Sequence, residues 1–131
     1  MGFPYTAAKQ SQKIELQSLN MDRAEALNQI IIFGEFRDTA FKELVKFGLA
    51  FDSDAETIEV SNQILAGVLA MFIADTITLD DLEEWASFVE SRDDINYSTI
   101  EGYVYALANP ELMGGVDKNK IAKMLQLLMA A

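Results

Sequence analysis

Carboxylates are the side chains of this chain with the widest scope for chemistry. Its 131 residues include 21 Asp and Glu, but no histidine and no cysteine. Paired carboxylates can hydrolyse glycosides or bind hard metal ions. The missing residue types exclude Ser-His-Asp triads and thiolate nucleophiles within this chain. Since the acids cluster at predicted helix starts rather than among substrate-binding aromatic residues, we expect no catalytic residue and no enzymatic activity.

A calcium loop is the first metal site to test in an acidic helical protein. Asp52, Asp54 and Glu56 match the acidic positions one, three and five of an EF-hand loop. Thr57 stands where that loop needs glycine, and Gln63 stands where it needs a bidentate glutamate. The chain also lacks a glycine-rich phosphate loop. We therefore expect neither a metal ion nor a cofactor.

The acids are concentrated in one segment. Residues 52–117 contain fifteen acidic residues and one basic residue, Arg92, whereas the rest of the chain contains six acidic and nine basic residues. The formal net charge of −11 thus arises entirely from this segment. Such an excess opposes binding to nucleic acid and anionic lipid, and it attracts basic proteins. The alternative is that these acids form a solvated face whose only role is to keep the protein soluble.

Helical periodicity determines where these acids lie. A helix is predicted to begin after Thr78, its N-cap, with Asp80 and Asp81 in the first turn. One apolar stripe recurs along it at three- and four-residue spacing: Leu79, Leu82, Trp85, Ala86 and Val89. Most of the nearby acids fall on the other side, so this helix is predicted to present them to solvent.

The remaining periodicity is also helical, with only two prolines to interrupt it. Asn20 or Asp22, Asp52 or Asp54, and Asp117 are candidate N-caps, and Ser98 to Glu101 reads as a capping box. We predict an all-α fold, a compact bundle of five to six short helices forming a single domain over residues 1–131, with 1–12 as a flexible N-terminal segment. The other predicted helices cover about 6–19, 23–48 with a bend or break at Gly34, 55–74, 98–109 and 117 onwards.

No membrane segment is expected. The longest apolar run, residues 64–74, has 11 residues, whereas a membrane span needs about 20. No apolar stretch typical of a signal peptide follows Lys9 and Lys13. These features favour a cytoplasmic protein whose apolar run forms a core helix.

Two stretches carry a resemblance to a known class of proteins. They are Leu-Glu-Glu-Trp-Ala-Ser-Phe-Val-Glu-Ser-Arg-Asp-Asp-Ile at 82–95 and Ala-Leu-Ala-Asn-Pro-Glu at 106–111. This part of the chain resembles small acidic helical immunity proteins encoded beside bacterial polymorphic toxins, including those of contact-dependent growth inhibition systems. The resemblance implies a cytoplasmic antidote that binds a C-terminal toxin domain, often a nuclease with a basic cleft, and blocks its active site or substrate face.

The predicted contact set combines the acids of this region with two tyrosines as possible anchors. Its members are Asp80, Asp81, Glu83, Glu84, Glu90, Asp93, Asp94, Tyr97, Glu101 and Tyr105. Two other functions fit the same acidity. One is a nucleic-acid mimic, such as a phage-encoded inhibitor of a restriction or CRISPR complex. The other is an adaptor domain whose charge only keeps it soluble.

Overall fold

A computed structural model describes residues 21–46 and 57–130, and the chain divides into two units, 1–54 and 55–131. The predicted all-α class is confirmed, because the described residues form six α-helices, two 3-10 helices and a two-stranded parallel sheet. The predicted helix over 6–19, the segment 1–12 and the acids at 52–56 lie outside the described residues. That residues 1–131 form a single domain stays a prediction.

The first unit contains a helical hairpin of α1 (Arg23–Ile31) and α2 (Arg37–Lys46). The Asp22 side chain accepts a hydrogen bond from the Glu25 N–H at 2.8 Å, which confirms Asp22 as an N-cap. The predicted break at Gly34 is also confirmed, since α1 ends before it and α2 begins after it. Apolar side chains of both helices are buried: Ala26, Leu27, Ile30, Ile31, Ala40 and Leu44.

The second unit begins with a short strand where a helix was predicted. Strand β1 (Ile58–Glu59) pairs in parallel with β2 (Ile95–Asn96), and the Ile58 N–H donates to the Asp94 carbonyl at 3.0 Å. Helix α3 therefore spans Asn62–Ile73 rather than 55–74, with Ser61 as its N-cap. The prediction was wrong here because pairing with a segment more than thirty residues away determines the conformation of β1.

Four helices complete this unit. Helix α4 (Leu79–Ser91) packs against α5 (Glu101–Ala108), and α3 packs against α6 (Lys118–Ala130). The largest fully buried side chains of the unit include Trp85 of α4, Leu107 of α5 and Ile121 of α6. Among the described residues, none of the helices combines the length and apolarity that crossing a membrane would require.

The predicted caps of the second unit had different outcomes. Thr78 caps α4 as predicted, and it also forms a reciprocal capping box with Asp81. Asp117 is confirmed as well, since it accepts from the Lys120 N–H at 2.9 Å. The capping box predicted at Ser98 is wrong. Residues Ser98–Ile100 form a 3-10 helix with no side-chain cap, and the Ser98 N–H, which a capping box would pair with the Glu101 side chain, donates to the Asn96 side-chain oxygen.

Candidate functional site

Helix α4 places most of the predicted acids on its solvent side. Burial of its apolar stripe fixes the helix rotation: Leu82, Trp85, Ala86 and Val89 are buried. Asp80 and Glu84 are exposed and lie one helical turn apart, so they share the opposite face. Glu90 is exposed and Glu83 is half-buried, and their seven-residue spacing places both along one flank of that face. We call these four residues the α4 acidic face.

Asp81 has a different role from its neighbours. Its side chain accepts a hydrogen bond from the Thr78 N–H at 2.9 Å, while the Asp81 N–H donates to the Thr78 hydroxyl oxygen at 3.1 Å. A carboxylate in the first turn is also stabilised by the helix dipole. Asp81 therefore holds the start of α4 in place, which makes it a structural support for the α4 acidic face.

Asp94, the other aspartate of the Arg92-Asp93-Asp94 corner, is buried rather than presented to a partner. It is only 1% exposed and forms a bidentate ion pair with Arg92, with N–O distances of 2.8 and 2.7 Å. The hydrogen bond to Asp94 is the main cause that raises the pKa of Arg92 above its ordinary value. Inclusion of Asp94 in the predicted contact set is thus corrected, because a carboxylate in this position stabilises the fold beside β2.

The remaining predicted contacts lie in the loop after α4 and on α5. Asp93 is exposed, whereas Tyr97 is half-buried. Glu101 and Tyr105 are both exposed on α5, and their four-residue spacing places them on one face of that helix. The predicted set thus separates into the α4 acidic face, an α5 pair of Glu101 and Tyr105, and loop residues.

Basic side chains of the second unit are mostly held by internal contacts. Arg92 pairs with Asp94, and Lys118 pairs with Asp75 at 2.7 Å. The Lys120 ammonium group donates to two backbone carbonyls, those of Met113 and Gly115. Within residues 57–130, Lys123 alone has a charge without an internal partner, and no described basic group forms an ion pair with the α4 acidic face. The carboxylates of the α4 acidic face are therefore uncompensated within the described structure.

A shallow groove lies between α5 and α6 and was not predicted from the sequence. Its volume is about 270 Å³, and its lining is mainly apolar: Thr99, Gly102, Tyr103, Ala106 and Met124. Four of these residues recur at three- and four-residue spacing, a signal that the sequence does contain. Small residues at two of those positions leave the space open. We call this feature the α5–α6 groove.

The α4 acidic face offers carboxylates for electrostatic attraction and hydrogen bonding. Among the described residues, no three acidic side chains come together in a group that could hold a metal ion. The exposed groups of the α4 acidic face are carboxylates, which accept hydrogen bonds and attract cationic side chains. The arrangement is therefore suited to binding a basic surface.

Comparisons with known proteins assign no family to this chain. No protein-family model, no curated protein and no solved structure matches it. The resemblance to immunity proteins therefore remains a prediction carried by the two stretches at 82–95 and 106–111.

Proposed function

We propose that this protein is an immunity protein. It binds a cognate bacterial toxin domain, in the cytoplasm of the cell that it protects, and covers the basic active-site or substrate face of that domain. The toxin is a nuclease, because a site that binds phosphates offers the arginine and lysine side chains that exposed carboxylates recognise. The protein itself acts by binding alone, with no cofactor.

The observation that carries this proposal is the uncompensated charge of the α4 acidic face. Asp80 lies three and four residues from Glu83 and Glu84, and like charges at these spacings destabilise a helix. Local ion pairs do not relieve this repulsion among the described residues. Binding to a basic protein would relieve this repulsion, so the destabilisation of the free protein would be offset in the complex.

The way in which α4 is held also supports the proposal. The capping box of Thr78 and Asp81 fixes the start of the helix, and the fully buried Trp85 fixes its rotation. An acidic face on a rigid helix loses little conformational entropy when it binds. Opposite charges at long range also accelerate association, which suits an antidote that must capture a toxin quickly.

Co-expression in a bacterial host tests the proposal directly. The toxin domain encoded beside this chain is produced alone or together with it, and growth is measured. We expect the toxin to stop growth and this protein to restore it. Failure to restore growth, together with no binding of the purified toxin, would overturn the immunity assignment.

Charge reversal then tests the surface. Glu83→Lys, Glu84→Lys and Glu90→Lys together reverse three members of the α4 acidic face and leave the Asp81 cap intact. We expect association with the toxin to slow by at least about tenfold at low salt, with a smaller effect at high salt because ions screen exposed charges. The measurement is the association rate constant, by surface plasmon resonance at several salt concentrations.

A matched control separates this surface from the effect of net charge. Glu35→Lys, Glu59→Lys and Glu111→Lys produce the same total charge change at exposed positions outside α4. This control variant should associate within about threefold of the wild-type rate, because electrostatic steering depends on the local potential at the contact. Equal slowing in both triple variants would remove the α4 acidic face from the proposal.

A further inference from the structure

The α5–α6 groove offers an apolar binding position on an otherwise acidic unit. Its volume of about 270 Å³ lies below the roughly 300–1,000 Å³ of small-molecule pockets, and it is open to solvent. Space of this size suits one large side chain of a partner. Interface hot spots commonly consist of such an anchor in a pocket.

Gly102 is the residue that keeps the groove open. It is exposed within α5, and a Cβ atom added to it would meet no heavy atom within 4 Å. A larger residue there would thus fill the groove without disturbing the fold. Glycine costs about 1 kcal/mol relative to alanine inside a helix, so its presence in a helix of eight residues has no local structural advantage.

The walls of the groove continue as exposed apolar surface. Met124 of α6 lines the groove, and Leu127, three residues further along the same helix, is 62% exposed. On α5, Tyr105 lies three residues beyond Gly102 and is 55% exposed. An anchor in the groove could therefore be covered by additional apolar contacts on both sides.

Charge determines which partner fits. Residues 57–130 contain twelve acidic and four basic residues, and internal contacts hold three of those bases. Most of these carboxylates are exposed, including Glu101 at the start of α5. Basic side chains should therefore accompany the apolar anchor.

We propose that the α5–α6 groove receives an apolar side chain from a basic, amphipathic segment of the partner protein. This inference rests on the proposed function and adds an apolar anchor to it. Carboxylates would accelerate the approach of the partner, while the anchor would slow its release and discriminate between basic proteins.

Two synthetic peptides of equal length and equal lysine count serve as probes. One has leucine and the other serine at the positions between lysines, and fluorescence anisotropy measures the dissociation constant of each. The leucine peptide should bind about tenfold more tightly, as expected for the burial of one large apolar side chain. Equal affinities would overturn the groove proposal.

Gly102→Leu fills the groove and should abolish the advantage of the leucine peptide while leaving the affinity for the serine peptide unchanged. Gly67→Leu is the matched control, since Gly67 is also an exposed glycine inside a helix with nothing within 4 Å of an added Cβ. Circular dichroism verifies that both variants fold. A leucine advantage that survives Gly102→Leu, or that Gly67→Leu removes equally, would contradict the inference.

The same variants distinguish failure of this inference from failure of the proposed function. If Gly102→Leu leaves the leucine advantage intact while the chain still protects cells from the toxin, the groove proposal alone is wrong. If co-expression never protects but Gly102→Leu selectively weakens the leucine peptide, the immunity proposal is wrong and the groove remains a binding position. Reversal of the α4 acidic face should weaken both peptides alike.

Discussion

The two units of this protein use charged residues in opposite ways. The described part of the first unit, 21–46, has five acidic and four basic residues, whereas 57–130 has twelve and four. In the first unit, the Arg37 guanidinium lies over the rings of Phe33 and Phe41 at 4.5 and 4.9 Å, and Lys46 pairs with Glu43. Within residues 57–130, intramolecular contacts hold three of the four bases, and most acids face solvent.

This difference separates charge that supports the fold from charge that does not. Arg37 and Lys46 contact groups of their own hairpin, so part of the charge in residues 21–46 is used within the fold. In the second unit, Arg92 is used to neutralise a buried carboxylate. Its location near the surface acids therefore does little to offset them. An acidic excess persists after the internal pairs are counted, and it is the basis of the proposal that this surface binds a basic partner.

The largest expected effect on stability comes from replacing one arginine in each unit with alanine. Arg92→Ala should destabilise the protein by about 3–5 kcal/mol, because it removes the bidentate cationic partner of the buried Asp94 carboxylate. Arg37→Ala should cost only about 1–2 kcal/mol, the sum of two cation–π contacts. Urea unfolding measures both, with circular dichroism and with the fluorescence of Trp85, the only tryptophan.

A double variant verifies the cause. Adding Asp94→Asn to Arg92→Ala should recover part of the lost stability, since no buried charge remains. If the two arginine variants proved equally stable, the distinction between their roles would be lost.

Substituting one glycine in each unit should change the stability of the protein in opposite directions. Gly34→Ala would place its Cβ 2.6 Å from Cδ of Gln29, whose side-chain oxygen accepts the Phe36 N–H at 3.1 Å. Displacing that side chain should cost about 1–3 kcal/mol through the unsatisfied N–H. Gly67→Ala in α3 meets open space and should stabilise by about 0.5–1 kcal/mol. Thermal unfolding compares the two, and a loss of stability in both would refute the contrast.

The smallest expected effect on stability tests the repulsion among the carboxylates of the α4 acidic face. Glu83→Gln, Glu84→Gln and Glu90→Gln together should stabilise the second unit by about 0.5–1 kcal/mol at low salt, since each removes a like charge from the α4 acidic face. Glu35→Gln in the first unit should change stability by less than about 0.5 kcal/mol, as exposed substitutions usually do. Unfolding in low and high salt is the measurement. A gain that persists at high salt would argue against electrostatic repulsion as its cause.

Much of the candidate site could be predicted because α4 is organised by local interactions. The Thr78 cap and the buried stripe of Leu82, Trp85 and Val89 depend on residues three or four positions apart. That spacing places Asp80 and Glu84 on the solvent side of the helix. The α5–α6 groove could not be predicted in this way, because its walls come from two helices.

Two of the errors in the prediction arise from contacts between distant segments, and a third arises from a local hydrogen bond. Pairing of β1 with β2 moved the start of α3 from residue 55 to Asn62. Asp94, which directly precedes β2, was predicted to contact a partner at the surface. It is instead buried and forms an ion pair with Arg92. At Ser98, the Asn96 side-chain oxygen accepts the backbone N–H that a capping box would have paired with Glu101.

The amino-acid sequence by itself determined the helical class, the α4 cap, the orientation of the α4 acidic face and the excess of acid in one segment. Each of these follows from composition or from residues within a few positions of one another, where helix geometry alone places side chains. Only the tertiary structure decided that Asp94 is internal, that three of the four bases of 57–130 are occupied, and that a groove opens beside Gly102. The physical reason is that burial and pairing depend on which distant segments meet, and no local pattern encodes that meeting.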